Sequence, residues 1–299
     1  MNNILFTGAT GFLGENTLPV LQQHGFKVTT LGLAGSDVVC DLSREVPVLP
    51  TSYPVVLHAA GKAHVVPKTP EEEKQFFEIN LQGTKNLCAG LEQSGVPKAF
   101  VFISTVAVYG TEQGENIEET HPLNGDSPYA KSKIEAERFL TDWCRTNGVI
   151  LTVLRPSLIA GKNPPGNLGA MIRGIETGRY VGIGGSKARK SVLMAGDIAR
   201  LVPLVMEKGG VYNVCDSVHP SFGELEQLIA AQLGKSRPVN IPYVFAKMLA
   251  LVGDLLGAKA PINSPKLDKI TQSLTFSNEK ARRELGWDPL NVLDHFKIS

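Results

Sequence analysis

Tyr129 and Lys133 stand four residues apart, a spacing that places both side chains on one face of a helix. The sequence predicts that helix, because Ser127 can cap it and Pro128 suits its first position. A lysine cation beside a phenol lowers the phenol pKa from about 10 toward neutrality. The pair therefore predicts a general acid/base for a sugar hydroxyl or a carbonyl oxygen.

The spacing alone is weak evidence, since a chain of this size can contain it by chance. Tyr243 and Lys247 form a second copy, which we interpret as structural. The first copy differs in what precedes it: residues 104–110 read Ser-Thr-Val-Ala-Val-Tyr-Gly and follow an apolar run. Hydroxyl side chains would then lie at the carboxyl edge of a parallel sheet, where such sheets bind ligands. We therefore assign the chemistry to Tyr129 and Lys133.

Three glycines, Gly8, Gly11 and Gly14, directly follow the apolar run at residues 4–6. The run predicts a buried strand, and a helix should begin at the glycines. Glycine permits the backbone angles of such a turn and lets main-chain N–H groups at a helix N-terminus approach a pyrophosphate. The pattern predicts a dinucleotide-binding turn.

The first half of the chain alternates between apolar runs and helix-like stretches. The runs lie at residues 27–33, 55–59, 100–104 and 150–154. Such alternation predicts an α/β fold built on a doubly wound parallel sheet with helices on both faces. One long crossover helix is predicted to begin at about residue 69 and to end near Gly95.

The composition changes after Arg155 and Pro156. Residues 156–191 are rich in glycine, proline and basic side chains, which indicates a loop-rich, substrate-facing region around one helix at about 168–177. A strand is predicted again at residues 211–214, and the chain from about 219 is mainly helical.

We predict two domains from these changes. Residues 1–156 would form the dinucleotide-binding domain, and residues 190–218 would return to it. Residues 157–189 and 219–299 would form a smaller, mostly helical substrate domain.

The 299-residue chain has 30 Lys plus Arg and 29 Asp plus Glu, a balance that argues against nucleic acid or an anionic membrane as the main partner but permits a local basic patch. Its four cysteines show no metal-ligand spacing, so we expect reduced thiols, no metal site and a cytoplasmic protein. Residues 243–258 are too short to span a bilayer and include Lys247 and Asp254. We interpret them as a packed amphipathic helix or a partner surface.

Together these motifs resemble the extended short-chain dehydrogenase/reductases of the nucleotide-sugar epimerase/dehydratase type, and the resemblance covers nearly the whole chain. The matching segments are Gly8-x-x-Gly11-x-x-Gly14, Asp41-Leu42, His58-Ala-Ala-Gly61, Asn80-Leu-Gln-Gly83-Thr84, residues 104–110, Tyr129 with Lys133, Leu154-Arg155-Pro156, Asn213-Val214-Cys215-Asp216 and residues 280–287. The resemblance implies a Rossmann fold and an NAD(P)-dependent enzyme that acts on a nucleotide sugar.

The resemblance also implies a role for each catalytic residue. Tyr129 would exchange the proton, Lys133 would hold the nicotinamide ribose and depress the tyrosine pKa, and Thr105 would hydrogen-bond the reacting oxygen. Hydride would pass between sugar C4 and the nicotinamide. The implied cofactor-binding residues are Gly8, Thr10, Gly11, Phe12, Leu13, Gly14, Asp41, Leu42, Ala59, Ala60, Gly61, Tyr129, Lys133 and Pro156.

One departure from the family pattern concerns the cofactor. Gly32 stands where relatives that bind NAD usually have an acidic residue. The missing carboxylate removes repulsion against a 2′-phosphate, and Ser36 and Arg44 are near in sequence. NADP is therefore slightly favoured over NAD.

Two further departures concern the reaction and the substrate. Val106 and Ala107 replace the Asp-Glu pair of the 4,6-dehydratases, and neither can move a proton, so dehydration is not expected. Lys266-Leu-Asp268 replaces the Arg-x-Gly-Asp typical of epimerases, which keeps the charge but loses the bidentate fork.

Three segments, at residues 58–64, 166–167 and 267–276, look most like a subgroup that includes reductases of 4-keto-6-deoxy nucleotide sugars. Basic side chains in a glycine-rich loop predict a diphosphate clamp or, in the alternative, a solvated basic loop. The candidate substrate-binding residues are His64, Thr105, Asn167, Lys187, Arg189, Lys190 and Lys266.

Two reactions at C4 of a nucleotide-linked hexose or N-acetylhexosamine stay open: a 4-epimerase, which regenerates its cofactor in each cycle, and a 4-ketoreductase, which consumes a reduced one. A non-catalytic dinucleotide-binding protein is disfavoured, because Thr105, Tyr129 and Lys133 are all present. The resemblance also implies a homodimer through helices near 70–94 and 128–147, with Trp143 among the candidate surface residues.

Overall fold

A seven-stranded parallel sheet forms the centre of the computed structural model, which describes residues 3–63, 65–256, 260 and 262–298. The strands of the chain are β1 (Asn3–Thr7), β2 (Lys27–Gly32), β3 (Val38–Val39), β4 (Val55–His58), β5 (Ala99–Ile103), β6 (Gly114–Ile117), β7 (Ile150–Pro156), β8 (Leu158–Ala160), β9 (Gly182–Ile183), β10 (Val192–Met194), β11 (Gly210–Val214), β12 (Asn240–Ile241) and β13 (Leu274–Phe276). The sheet has the order β11-β7-β5-β4-β1-β2-β3, and every neighbouring pair is parallel.

Helices cover both faces of this sheet. They are α1 (Phe12–Gln23), α2 (Pro70–Phe77), α3 (Gly83–Ser94), α4 (Pro128–Asn147), α5 (Gly166–Glu176), α6 (Asp197–Val205), α7 (Phe222–Gln232), α8 (Tyr243–Leu256), α9 (Ser264–Thr271), α10 (Glu279–Leu285) and α11 (Val292–His295). One core layer packs α1, α6 and α10 on the sheet through Leu21, Leu201 and Leu285. The opposite layer packs α3 and α4 through Leu91 and Leu140. Strand β5 is buried along its whole length, as a parallel strand covered on both faces should be.

The crossover helix predicted near 69–95 contains a π-turn. Helix α2 continues into the π-helical segment Glu78–Gln82 and then into α3. Thr69 caps α2, since its hydroxyl accepts from the Glu72 N–H at 3.2 Å. The π-turn holds the fully buried Asn80. Single π-turns often occur at functional sites, and this one lies beside the residues described below.

A second apolar core lies outside the sheet. It joins α5, α7 and α11 through Ile175, Ile229 and Phe296. Three short parallel pairs accompany it: β6 with β13, β8 with β10, and β9 with β12. Helices α8 and α9 pack near β9 through Ala246 and Leu267.

The predicted fold class is confirmed. The apolar runs predicted as strands correspond to β2, β4, β5 and β7, and the helix predicted at about 168–177 is α5, which begins at Gly166. The placement of Trp143 on a candidate dimer surface is wrong. This side chain is buried against the sheet, and its Nε1 donates to Glu92 Oε1 at 2.6 Å. The homodimer itself stays a prediction.

Within the described part of the chain, every helix is too short or too polar to cross a membrane.

Candidate active site

The sheet changes its winding direction between β1 and β4. Strands β2 and β3 extend it on one side of β1, whereas β4, β5 and β7 extend it on the other. Open α/β sheets bind ligands at the carboxyl ends of the strands at such a point. Gly8 lies there with a φ of +80°, and a Cβ at this position would stand 2.6 Å from the backbone nitrogen of Ala60. The loops after β1 and β4 therefore touch through their backbones, which a side chain at position 8 would prevent.

The turn after β1 fits a dinucleotide diphosphate. A Cβ at Gly14 would stand 2.3 Å from the Gly8 carbonyl oxygen, so the first turn of α1 lies directly on the loop. Helix α1 begins after Gly11 without a side-chain cap, and Thr10 and Gly11 are exposed. The helix thus presents main-chain N–H groups and the positive end of its dipole. These residues would hold the diphosphate of NAD(P).

The other predicted cofactor residues border the same edge. Phe12 and Leu13 lie in the first turn of α1, and Ala59, Ala60 and Gly61 form the loop after β4. Pro156 is the last residue of β7. All of these positions lie at carboxyl ends of strands or at the helix that follows, as a dinucleotide site requires.

Asp41 and Leu42 lie beside the end of β2, because the Cys40 N–H donates to the Gly32 carbonyl at 2.8 Å. The Asp41 carboxylate accepts from the Ser43 N–H and hydroxyl at 3.0 and 2.6 Å. These contacts fix the turn that borders the adenosine side of the predicted cofactor site.

Ser36 offers an unpaired hydroxyl at this end of the site. Its Oγ is buried, lacks a hydrogen-bond partner among the described residues, and stands 3.1 Å from where a Cβ of Gly32 would be. The nearby Asp37 carboxylate is occupied, since it accepts from the Thr30 N–H and hydroxyl, each at 2.8 Å. A buried polar atom without a partner is costly. The Ser36 hydroxyl therefore fits a ribose hydroxyl or a 2′-phosphate.

Tyr129 and Thr105 meet at the carboxyl end of β5. Tyr129 lies in the first turn of α4, which begins as predicted, with Ser127 Oγ accepting from the Ala130 N–H at 3.2 Å. The half-buried Tyr129 phenol is hydrogen-bonded to the Thr105 side chain. Thr105 itself is buried and caps the 3₁₀ turn Val106–Tyr109. Two segments that are distant in sequence therefore place two hydroxyls where one substrate oxygen could contact both.

The prediction that Lys133 lowers the pKa of Tyr129 is wrong in direction. Burial raises the pKa of the phenol, and the hydrogen bond with Thr105 opposes the rise. The Lys133 ammonium instead donates to the Ile103 carbonyl at 2.9 Å and stands 4.6 Å from the centre of the Phe102 ring. Desolvation lowers the pKa of Lys133 from 10.5 to about 8. The lysine thus remains largely protonated at neutral pH but is poised near its titration.

A buried ion pair lies one helical turn beyond Lys133. Arg155 donates from Nη2 and Nε to the two carboxylate oxygens of Glu137, at 2.6 and 3.1 Å. Both side chains are less than a tenth exposed, at 6% and 7%. Ser104 also donates to Glu137, and Arg155 Nη1 donates to the Tyr109 hydroxyl at 3.1 Å. This network joins β5 and β7 to α4 and so fixes the helix that carries Tyr129 and Lys133.

Asn80 joins the loop after β4 to the same helix. Its Oδ1 accepts from the Lys62 N–H at 2.7 Å, and its Nδ2 donates to Ser132 Oγ at 2.9 Å. A Cβ at Gly61 would stand 2.9 Å from Asn80 Oδ1 and 3.2 Å from Lys133 Nζ. Glycine at position 61 thus lets the loop pass directly over Lys133, where the resemblance implies a nicotinamide ribose.

Two predicted substrate residues are exposed to solvent. Asn167 lies in the first turn of α5, and Lys187 lies in the glycine-rich loop after β9. Their role in substrate binding stays a prediction. His64, the third candidate of this kind, lies outside the described residues.

The remaining basic candidates already contact the protein. Arg189 Nη1 donates to the His219 carbonyl at 2.9 Å, and Lys190 is half-buried. Lys266 Nζ donates to the Ala260 carbonyl at 2.5 Å. A diphosphate would have to share or displace these contacts, so Lys187 is the best-placed cation of the predicted clamp.

Two residues of the site did not emerge from the sequence. Glu137 follows Lys133 by four residues, and that spacing on one helix face was the available signal. Ser157 follows Pro156 at the end of β7, and its buried Oγ lacks a partner among the described residues. Its position directly after a recognised motif could have marked it as a candidate.

The chain is similar to known proteins over most of its length. The model of the NAD dependent epimerase/dehydratase family matches residues 4–215. The N-acetyl-alpha-D-glucosaminyl-diphospho-ditrans,octacis-undecaprenol 4-epimerase of Escherichia coli O157:H7 is 27% identical over 93% of this chain and 88% of that protein. The UDP-glucose 4-epimerase of Vibrio cholerae is 28% identical over 97% and 92%.

A solved structure, RMD from Pseudomonas aeruginosa complexed with NADPH, aligns with 98% of this chain and 95% of that chain. Its TM-score is 0.73 at 23% identity, so the two proteins share a fold. The family match extends from β1 to the residue after β11, and therefore includes the whole predicted dinucleotide site.

Proposed function

We propose a C4 oxidoreductase function for this chain, which belongs to the NAD dependent epimerase/dehydratase family and is an NAD(P)-dependent enzyme of the extended short-chain dehydrogenase/reductase type. The substrate in this proposal is a hexose or N-acetylhexosamine carried on a diphosphate. The contact between Tyr129 and Thr105, beside the buried Lys133, carries the proposal. It supplies a proton donor and a second hydroxyl for one sugar oxygen.

Tyr129 is the proton-exchanging group in this mechanism. Its raised pKa keeps the phenol protonated at neutral pH, so that it can donate to a carbonyl oxygen at C4. Thr105 holds the same oxygen with its hydroxyl. In the opposite direction the phenolate accepts the C4 hydroxyl proton, and the hydrogen bond from Thr105 favours that form. When bound, NAD(P) accepts or supplies the hydride.

The two relatives differ in the group to which the sugar diphosphate is attached. One is named for UDP-glucose, and the other for a sugar on undecaprenyl diphosphate. Both names share a diphosphate attached to the sugar. A nucleotide-linked sugar is therefore the first substrate to test with this chain, and a lipid-linked sugar is the second.

A second candidate function is reduction of a 4-keto sugar with NADPH. The unpaired Ser36 hydroxyl and the absence of a carboxylate at Gly32 favour it, because the hydroxyl can donate to a 2′-phosphate and no negative charge at position 32 repels that phosphate. A 4-epimerase and a 4-ketoreductase would use Thr105, Tyr129 and Lys133 in the same way.

The identity of the bound cofactor tests these alternatives. Freshly purified protein is denatured, and the released nicotinamide nucleotide is identified and counted. Near-stoichiometric NAD supports a 4-epimerase, whereas protein without nucleotide that titrates reversibly with NADPH supports a 4-ketoreductase. Failure of both NAD(H) and NADP(H) to bind at saturating concentration would contradict the proposed function.

A further inference from the structure

Helix α8 turns its small residues toward the protein and its large apolar residues toward solvent. Ala246, Ala250 and Gly253 are buried, at the i, i+4, i+7 spacing of one helix side. The other side, here called the α8 face, consists of the exposed residues Val244, Phe245, Met248, Leu249, Leu251, Val252, Leu255 and Leu256. Surface helices of globular proteins normally have the reverse arrangement.

Close backbone packing fixes this orientation. A Cβ at Gly253 would stand 1.9 Å from the Ile262 carbonyl oxygen. The Asp254 carboxylate accepts from the Ser264 N–H and hydroxyl at 2.8 and 2.6 Å, which joins α8 to the first turn of α9. Rotating the helix to bury its leucines would drive large side chains into this contact. The α8 face is therefore an outward surface of the fold.

The exposure of this face is high. Leu255 is 87% exposed, and Val244 and Leu256 are each 66% exposed. Single exposed apolar residues are ordinary, but a contiguous patch of eight on one helix marks a contact with another molecule or with a membrane.

The charged residues on α8 and in the segment before it favour an anionic lipid surface. Lys247 is exposed on α8, and Lys235 and Arg237 are exposed before β12. The one acidic group of α8, Asp254, accepts two hydrogen bonds from Ser264, which favour its charged form. Aliphatic and aromatic side chains with cations beside them are typical of helices that lie in the membrane interface. These three cations outnumber the one carboxylate of α8, so the sequence argument against an anionic membrane, which rests on the net charge of the whole chain, does not hold for this segment.

The length of α8 determines how it could meet a bilayer. Its 14 residues make a helix about 21 Å long, shorter than the hydrocarbon core of about 30 Å. It would lie along the surface and not across it.

The α8 face is also continuous with the predicted diphosphate clamp. Strand β12, just before α8, pairs with β9, and Asn240 Oδ1 accepts from the Gly185 N–H at 2.7 Å. Tyr243, the first residue of α8, stands beside Gly184. The glycine-rich loop with Lys187 and the start of α8 therefore lie next to each other.

We propose that the α8 face docks on an anionic membrane surface, and that the neighbouring glycine-rich loop takes the diphosphate of a sugar carried on a membrane lipid. The membrane docking is inferred from the exposed surface of the protein and does not depend on the proposed function. The assignment of a lipid-linked substrate does depend on the proposed function. A membrane-embedded carrier would present its headgroup at the depth of this loop, while the α8 face holds the protein in place.

Vesicle sedimentation of the full-length protein tests the docking. The wild type should bind phosphatidylcholine/phosphatidylglycerol vesicles and release them as salt is added, because the basic residues contribute. A Leu249→Ser, Leu255→Ser double variant should bind these vesicles at least about tenfold more weakly than the wild type. A matched Val39→Ser, Val48→Ser variant, at positions 68% and 86% exposed elsewhere, should bind as the wild type does.

Three outcomes would overturn the docking. The wild type could stay in the supernatant with these vesicles, or the two double variants could lose binding equally. Sedimentation velocity could instead show a dimer that the α8 variant dissociates, without vesicle binding, which would assign the face to a second copy of the chain.

Turnover separates this proposal from the proposed function. The α8 double variant should process a water-soluble nucleotide sugar as the wild type does, and should process a vesicle-borne lipid diphosphate sugar at least about tenfold more slowly. Wild type that converts the nucleotide sugar but ignores the lipid-linked one would overturn the carrier assignment. Vesicle binding without turnover of either sugar would overturn the proposed function and leave the docking intact.

Discussion

Helices α4 and α8 carry the same tyrosine–lysine spacing in opposite surroundings. In α4, Lys133 is 4% exposed, and desolvation lowers its pKa to about 8. In α8, Tyr243 is 40% exposed and Lys247 is exposed at the border of an apolar face. The same two residue types therefore lie in a largely buried site in one helix and in solvent in the other.

The residue four positions after the lysine distinguishes the two helices most clearly. In α4 it is Glu137, buried and paired with Arg155. In α8 it is Leu251, which is 56% exposed. The end of β5 also brings Thr105 to Tyr129. Spacing places two side chains on one helix face, but the strands packed against that face decide what the pair can do.

The largest effect should come from breaking the buried pair under α4. Glu137→Gln leaves the Arg155 guanidinium buried without a counter-charge, which typically costs about 3–5 kcal/mol. We expect a decrease of that size in the free energy of unfolding, measured by denaturant titration. The segment that carries Thr105 should loosen as well, because Glu137 holds Ser104 directly after β5.

An exposed ion pair provides the matched control. Glu78 pairs with Lys74 at 3.2 Å, and both side chains are largely in solvent, at 45% and 76% exposure. Glu78→Gln should change the free energy of unfolding by less than about 1 kcal/mol. Equal decreases in the free energy of unfolding in the two variants would mean that burial does not increase the contribution of the Glu137–Arg155 pair to stability.

Tyr129→Phe should lower turnover by about two orders of magnitude or more, the usual contribution of a general acid/base. The phenol oxygen contacts Thr105 and is absent in this variant, whereas the ring and its packing remain. Cofactor affinity should stay within about twofold, as measured by nicotinamide nucleotide titration, since the change spares the diphosphate turn. Near-normal turnover would remove Tyr129 from its proposed role.

Lys133→Met should stabilise the fold while it abolishes function. The folded pKa of about 8 lies below the ordinary 10.5, so the unfolded chain binds more protons between these values. Below pH 8 both states are protonated, and the buried ammonium lowers the free energy of unfolding by its full amount. This destabilisation decreases as the pH rises from 8 and is lost above 10.5. After allowing for the lost hydrogen bond to Ile103, we expect the free energy of unfolding at pH 7 to rise by about 1–3 kcal/mol.

Denaturant titrations at several pH values measure this effect. The gain of the methionine variant over the wild type should shrink steadily above pH 8 and vanish near 10.5. A difference that is independent of pH, or a less stable variant at pH 7, would show that the lysine is not held in a strongly desolvated site.

The sheet and the glycine turn could be predicted because their signals are local: apolar runs separated by helices, and glycine where a Cβ at position 8 or 14 has no room. The catalytic roles of Thr105, Tyr129 and Lys133 are inferred from their places at the end of a strand and the start of a helix, and these roles stay predictions. The pKa direction of Tyr129 and the burial of Trp143 could not be predicted, because they depend on which atoms tertiary packing brings close. The outward face of α8 follows from the close contact at Gly253, which periodicity does not reveal.

The smallest effect should come from the second tyrosine–lysine pair. A Tyr243→Phe, Lys247→Met double variant removes the same polar groups as the two α4 variants combined, but from side chains that already lie in solvent. The free energy of unfolding should change by less than about 0.5 kcal/mol. Turnover of a water-soluble nucleotide sugar should stay within about twofold, since no reacting atom is touched. A large loss of turnover would place α8 at the reacting centre and would remove the contrast between the two helices. A loss confined to vesicle binding would assign Lys247 to the membrane contact.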